Sequence, residues 1–242
     1  MPAPRAPRPE RPSRKADIIR CFSELVAERG YDAVSLRDVA ETLEISKGTI
    51  LHHFRSKDRL LEQVHSEYMQ RRLREARSFL ARLDSPADQV CALIYQLMYA
   101  EAHDRAATVA FAREIVRFAS EDVMAEVRTM RDEYSSLLRE ALARGMEAGQ
   151  FVTADPAIVA LQIFGMCNWS WTWYRPDGAW TADDIAETFS TVLFRGLAGG
   201  RKPRLSSRVP ELVRATMAEV DAAEGRAMDS APVRPSSGRR SR

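Results

Sequence analysis

The sequence predicts an all-α protein of about nine helices, a short three-helix unit followed by a larger helical bundle. Two observations carry this. Apolar residues recur at intervals of three and four from Ile18 to Leu197, and no stretch keeps the strict alternation of a half-buried strand. The punctuation between these segments is also that of helices, with Ser, Thr or Asp at their starts and Gly or Pro beyond their ends.

Each element can be justified in order. Residues 1–13 (MPAPRAPRPERPS) hold five prolines and no apolar period, so a disordered or polyproline-like basic arm is expected. Ile18, Ile19, Phe22, Leu25 and Val26 form the stripe of a first helix that Gly30 stops. Ser35, with Asp38 three residues on, caps a short helix over Leu36–Leu43. After a break at Glu44–Ile45, Ser46 caps a second short helix that runs to Phe54. Ser56 opens a long helix striped by Leu60, Leu61, Val64 and Tyr68. Beyond Asp84–Ser85–Pro86 come helical segments at 86–103, 105–119 and 122–148, closed by Gly149. Asp155–Pro156 starts another, ended near Pro176–Asp177–Gly178, and Thr181 to Asp184 cap one that ends at Gly196. The expected division is a basic arm over 1–13, a three-helix unit over 14–62 and a bundle over 63–200. A basic, mostly disordered tail over 201–242 then carries one short helix near Glu211 to Ala223.

Charge is distributed unevenly. Residues 1–15 hold five basic residues against Glu10, and residues 201–242 hold ten against five acidic ones. Of the 36 basic and 34 acidic residues this leaves 21 and 28 between, a body of net charge −7 with basic ends. Such a distribution suits a polyanionic partner reached by arms, or simply solvated tails. Cys21, Cys91 and Cys167 are odd in number and far apart, which argues against a disulfide framework and for a reducing compartment. The Pro-rich start has no apolar core behind it, so it is no signal peptide. The most apolar stretch, Ile158 to Trp173, is broken by Gln162 and Asn168 and is short for a bilayer. A soluble, cytoplasmic protein with no membrane partner is expected.

Two short helices joined by a tight turn and braced by a third form the helix-turn-helix pattern. Ala40 supplies the small residue at the crossing, and Val39, Leu43, Ile45, Ile50 and Phe54 the shared core. Ile50 and Phe54 are four apart and share a face. His52 therefore points away from that core, flanked by Thr49 and Leu51, while Lys47 projects from the first turn. Adjacent helical histidines diverge and cannot chelate one metal, and no acid, cysteine or nucleophile stands at useful spacing. Neither a metal, a cofactor nor catalysis is expected. Lys47, Arg55 and Lys57 bracket the pair, and the helix start at Ser56 favours anions, so phosphate contact explains the histidines better than a plain solvated face.

The block from Lys15 to Leu61, through "FSELVAERGYDAVSLRDVAETL" and "ISKGTILHHFRSKDRLL", resembles the DNA-binding domain of TetR/AcrR transcriptional regulators. The resemblance implies a homodimer that binds a pseudo-palindromic double-stranded operator, with a C-terminal ligand-binding and dimerisation bundle. By position, Ser35 and Lys57 would contact phosphate, and Lys47, Gly48, Thr49, His52 and His53 would line the groove or its walls. Arg37, Ser46 and Leu51 complete the DNA-facing set. Leu51 stands where the family usually has tyrosine and could meet a thymine methyl. Glu44 stands where the family often has a turn glycine, at a cost of roughly 1 kcal/mol if its backbone is left-handed. Arginines 5, 8, 11 and 14 recur every three residues, which suits a minor-groove arm.

Residues 63–200 contain no catalytic constellation, but they are dense in aromatic and methionine side chains. A dry core is the plain reading, and a large apolar pocket the sharper one. The candidate ligand-contacting residues are Phe111, Arg113, Arg117, Phe118, Met130, Tyr134, Phe164, Trp169 and Trp173. Arg113 and Arg117 are either paired with Glu114 or Glu121, or anchor an anionic head group. Trp169 and Trp173, four apart, are expected on one helix face. The stretch from Tyr134 to Leu197 resembles a branch of the same family that includes acyl-CoA-responsive catabolic repressors. It implies a CoA ester or another apolar acid as effector, with the last two helices as the dimer interface. The alternatives are a ligand-independent or activating DNA binder, or a small-molecule binder that does not bind DNA.

Overall fold

The computed structural model describes residues 14–118, 122–197, 199, 206 and 208–225, without the side chains of 115–118. The expected arm over 1–13, most of the 201–242 tail, and the side chains of Arg117 and Phe118 lie outside the described residues. Among the described residues there are ten α-helices and no strand. The three-helix unit is α1 (Arg14–Arg29), α2 (Leu36–Thr42) and α3 (Lys47–Phe54). After Arg55 and Ser56 comes α4 (Lys57–Leu80), followed by α5 (Pro86–His103) and α6 (Arg105–Phe118). A 3₁₀ turn at Asp122–Met124 leads into α7 (Ala125–Glu147), and then come α8 (Pro156–Asn168) and a second 3₁₀ turn, Trp169–Thr172. The last two helices are α9 (Ala182–Leu197) and α10 (Val209–Ala223).

The helix starts follow the capping residues. Ser35 accepts from the backbone N–H groups of Arg37 and Asp38, both at 3.2 Å, while Asp38 accepts from Ser35 N at 2.6 Å, a complete capping box. Ser46, Ser56 and Asp155 cap α3, α4 and α8 through single bonds of 3.1, 3.1 and 2.8 Å. Thr181 and Asp184 exchange bonds at the start of α9. Each such cap stabilises its helix by about 1 kcal/mol. One continuous apolar core runs from Ile18 in α1 to Met217 in α10. α5 is buried along most of its length and has α4, α7, α9 and α10 packed around it.

The penultimate predicted helix ends early. α8 stops at Asn168 rather than near residue 175. Ser170 Oγ bonds back to Cys167 O at 2.6 Å, and Thr172 Oγ1 to Trp169 O at 2.8 Å. Hydroxyls that bond three residues back compete with the α-helical ladder and tighten the chain into a 3₁₀ turn. Trp169 and Trp173 therefore do not share a helix face.

Candidate nucleic-acid interface and regulatory interior

α3 is held by two side chains. Ile50 is fully buried and Phe54 nearly so, in the same core as Val39 and Ala40 of α2. The turn between α2 and α3 is closed by Ile45 N donating to Ala40 O at 2.9 Å, which requires Glu44 at φ 53°. The non-glycine turn residue is thus in the left-handed region, as its sequence position implied. Arg55, which ends α3, is left-handed too, at φ 63°.

With its inner side fixed, α3 turns Lys47, Gly48, Leu51, His52 and His53 outward, all exposed, and leaves Thr49 half-buried. The two imidazoles meet edge to face, with centroids 5.5 Å and ring planes 70° apart, and among the described residues no metal-binding cluster forms. From Ile45 to Lys57 there is no acidic residue. The exposed surface of α3 therefore offers hydrogen-bond donors and carbon without an opposing carboxylate. A Cβ at Gly48 would meet Ser46 Oγ at an ordinary 3.5 Å, so nothing within the fold demands glycine there. The Ser35 hydroxyl accepts the cap amides and also bonds to the Asp38 carboxyl. Its bonds to Asp38 hold that carboxyl below the usual carboxylate range. Arg37 is exposed beside Ser35 and pairs with Glu41 at 2.8 Å, a surface pair of small worth.

Lys57 is placed differently from the other DNA-facing candidates. Its ammonium donates to Tyr31 O at 2.5 Å and stands 3.8 Å from the centre of the Tyr31 ring. It fastens the α1–α2 turn to the start of α4. The Tyr31 hydroxyl donates to Asp58, and Tyr31 N donates to Glu114 of α6 at 2.9 Å. Arg113, left open between an acidic partner and an anion anchor, donates to Ala27 O at 3.0 Å, with Trp171 beneath its guanidinium at 5.7 Å. Together these contacts join bundle and three-helix unit. Only a fold could bring Tyr31 to both Lys57 and Glu114, so sequence reading missed it.

The other ligand candidates divide. Phe111 stacks on Tyr68 at 4.7 Å and meets His65 edge-on at 5.1 Å. Tyr134 and Met130 are buried, and Phe164 lies 6.1 Å from the Tyr134 ring. Trp169 and Trp173 are exposed instead. The interior also contains polar groups that the apolar pattern did not reveal. Arg72, fully buried, stands 5.2 Å above the Tyr68 ring. Tyr134 Oη donates to Gln96 at 2.8 Å, and Gln96 donates to Arg72 O and Glu75. Among the described residues, buried side-chain atoms without a hydrogen-bond partner fall on His65, Arg72 and His103 of α4 and α5, while Glu101 Oε2 and Arg105 Nη1 form an ion pair at 3.8 Å. Burial raises the Glu101 carboxyl to about 7 and lowers the His65 imidazole to about 4.

Ile158 and Leu161 of α8, Trp169, and Val192 of α9 are large apolar side chains left 65–69% exposed. No helix among the described residues is long and apolar enough to cross a membrane.

Comparison with known proteins agrees with this architecture. Residues 22–64 match the model for bacterial regulatory proteins of the tetR family, and residues 83–197 match a tetracyclin repressor-like C-terminal domain. The HTH-type transcriptional repressor KstR2 of Mycobacterium tuberculosis is 23% identical over 186 residues, which cover 76% of this chain and 93% of that protein. The structure of the ketosteroid transcriptional regulator KstR2 from the same organism superposes with a TM-score of 0.73 at 24% identity, covering 78% of this chain and 97% of the other. AibR, solved in complex with isovaleryl coenzyme A and operator DNA, has the same fold, with a TM-score of 0.70 at 21% identity over 76% of this chain and all of that one. With both halves matched in order, the chain belongs to the tetR family of DNA-binding bacterial regulatory proteins.

Proposed function

We propose that the chain is a homodimeric repressor that binds a pseudo-palindromic operator through α3 and is released by an elongated apolar effector, an acyl-CoA thioester being the first to test. The observation that carries this reading is the surface of α3, where Lys47, Gly48, Leu51, His52 and His53 stand outward in a stretch without an acid. In this reading Lys47, Thr49, His52 and His53 meet base edges or groove walls, and Ser35, Arg37 and Ser46 meet phosphate. Gly48 lets the backbone approach the duplex, and Leu51 covers a thymine methyl. Lys57 acts indirectly, by holding the Tyr31 turn against α4.

α8 and α9 form the dimer interface, because their large apolar side chains Ile158, Leu161 and Val192 are costly to leave in water. The effector site is the interior around Phe111, Tyr68, Met130, Tyr134 and Phe164. Unpartnered buried polar atoms cost roughly 1–3 kcal/mol each, and a polar atom on an otherwise apolar ligand would relieve that cost. The name given to KstR2, a repressor, and the isovaleryl coenzyme A bound by AibR support the sign of regulation and the effector class. A ligand that displaces α6 would act on Tyr31 through Glu114, and so on the junction of α3 and α4.

The test is fluorescence anisotropy with the duplex adjoining the coding region, titrated with acyl-CoAs of four to sixteen carbons. Tight binding that one of these thioesters weakens is expected. In the K47A/H52A/H53A variant, affinity should fall by about 100-fold or more with the thermal midpoint unchanged, since each base contact is worth roughly 1–3 kcal/mol. Binding that the triple variant retains in full would refute the role of α3.

A further inference from the structure

Three side chains of α4, His65, Tyr68 and Arg72, recur at intervals of three and four and so share one face of the helix. All three are buried, His65 completely and Arg72 almost so. Their contacts form a row. His65 meets the Phe111 ring edge-on at 5.1 Å, Phe111 stacks on Tyr68 at 4.7 Å, and the Arg72 guanidinium stands 5.2 Å from the Tyr68 ring. The middle of the row is aromatic, and both ends are polar groups with idle capacity. No hydrogen bond of ordinary geometry reaches either ring nitrogen of His65, nor Nε or Nη1 of Arg72. Phe111, which closes the row from α6, is only half-buried.

What each end lacks follows from its surroundings. Arg72 does not lack a counter-charge. Its Nη2 donates to Glu75 at 3.0 Å and to Asp104 at 3.5 Å, and Arg71 beside it pairs with Glu75, Asp104 and Asp221. Two guanidinium groups thus face three carboxylates, and a fourth carboxylate would meet like charge with no cation to spare. Arg72 lacks only acceptors for two N–H groups, and an uncharged carbonyl oxygen is such an acceptor. At the other end, burial lowers His65 to about 4 against a smaller upward pull from the Ala110 backbone, so the imidazole is neutral. A neutral imidazole has one donor and one acceptor nitrogen, the complement of a hydroxyl. Seven residues of α4 separate the two ends, about 10 Å at 1.5 Å per residue.

We propose that the effector is an oxygenated acyl compound with two uncharged oxygens about 10 Å apart, an ester or thioester carbonyl accepting from Arg72 and a hydroxyl bonded to His65, its intervening carbon lying along Tyr68 and Phe111. This is the effector site of the function proposed above, and the assignment rests on that reading. A plain fatty acid, charged and oxygenated at one end alone, does not fit it.

Calorimetric titration of the full chain with methyl ω-hydroxyoctanoate, methyl octanoate and the two corresponding free acids tests this. In its extended form the first holds its carbonyl and hydroxyl oxygens about 10 Å apart, at C–C bonds of about 1.5 Å. It should bind about ten-fold more tightly than methyl octanoate, and each ester at least ten-fold more tightly than its acid, because each match engages a buried polar group that is otherwise idle. His65→Phe keeps an aromatic ring beside Phe111 and removes one idle group. Its thermal midpoint should not fall, yet the preference for the hydroxylated ester should vanish. Arg72→Lys retains the charge opposite Glu75 but loses both idle N–H groups, and should weaken both esters about ten-fold while the hydroxyl preference persists. An acid that binds as tightly as its ester, or a hydroxyl preference that survives in His65→Phe, would overturn the proposal. Duplex release by an acyl-CoA from a protein that binds neither ester would overturn it too, while leaving the effector function standing. If no acyl-CoA acts and no ester binds, the effector function itself fails, and this assignment fails with it.

Discussion

The DNA-facing unit and the interior of the bundle treat polar groups in opposite ways. In the first, capping serines and their partners satisfy the helix starts, Ile50 and Phe54 supply the attachment, and no charged side chain is buried. In the second, His65 and Arg72 are buried with polar atoms that lack a hydrogen-bond partner, and Glu101 is buried beside Arg105 at 3.8 Å. One region is held by apolar packing and has no buried charge to tune. The other stores electrostatic cost in its core, and that cost is what a bound molecule or a change of pH can release.

Phe54→Ala should break this comparison most sharply. Truncating a buried phenylalanine costs about 3–5 kcal/mol, and here the loss falls on the shared core of α2 and α3. Denaturant unfolding should show the drop, with duplex binding lost at temperatures where the bundle remains folded.

The bundle should respond to a change of charge instead. With its carboxyl raised to about 7, Glu101 binds a proton more readily in the native state than when unfolded. It therefore costs stability as pH rises from about 4.5 to 7, by roughly 3 kcal/mol in all. His65, lowered to about 4, does the reverse and costs stability as pH falls from about 6.5 to 4. Across that window the two contributions oppose each other. Glu101→Gln should raise stability by roughly 3 kcal/mol at pH 8 and expose the acid-side loss due to His65. A thermal midpoint that is no higher at pH 8 would show that Glu101 is not under strain.

The smallest effect belongs to the turn. Glu44 is left-handed, so Glu44→Gly should stabilise the chain by about 1 kcal/mol, read as a higher denaturant midpoint.

These differences also explain what the sequence made legible. Caps are local, and Ser35, Ser46, Ser56, Asp155 and Thr181 announced five helix starts. The helix-turn-helix core was legible because Ile50 and Phe54 are four apart on one short helix. The early end of α8 was not, because Ser170 and Thr172 could equally have faced solvent from a longer helix. Nor was the role of Lys57, whose partner is 26 residues away in sequence. The buried ionic groups of α4 were the least visible. Nothing in the sequence marks Arg71, Arg72 and Glu75 as buried, and only the wrapping of α5, α6 and α10 around α4 places them inside.

The two grips that α6 places on the DNA-facing unit close on main-chain atoms, the carbonyl of Ala27 and the amide of Tyr31. Every residue offers a carbonyl, and all but proline offer an amide. Side chains along α1 and α3 can therefore be exchanged without loosening either hold. A bundle of this kind could be grafted onto a head that recognises another sequence and still pull on it through the same handles, leaving the choice of binding site and the choice of inducer free to evolve separately.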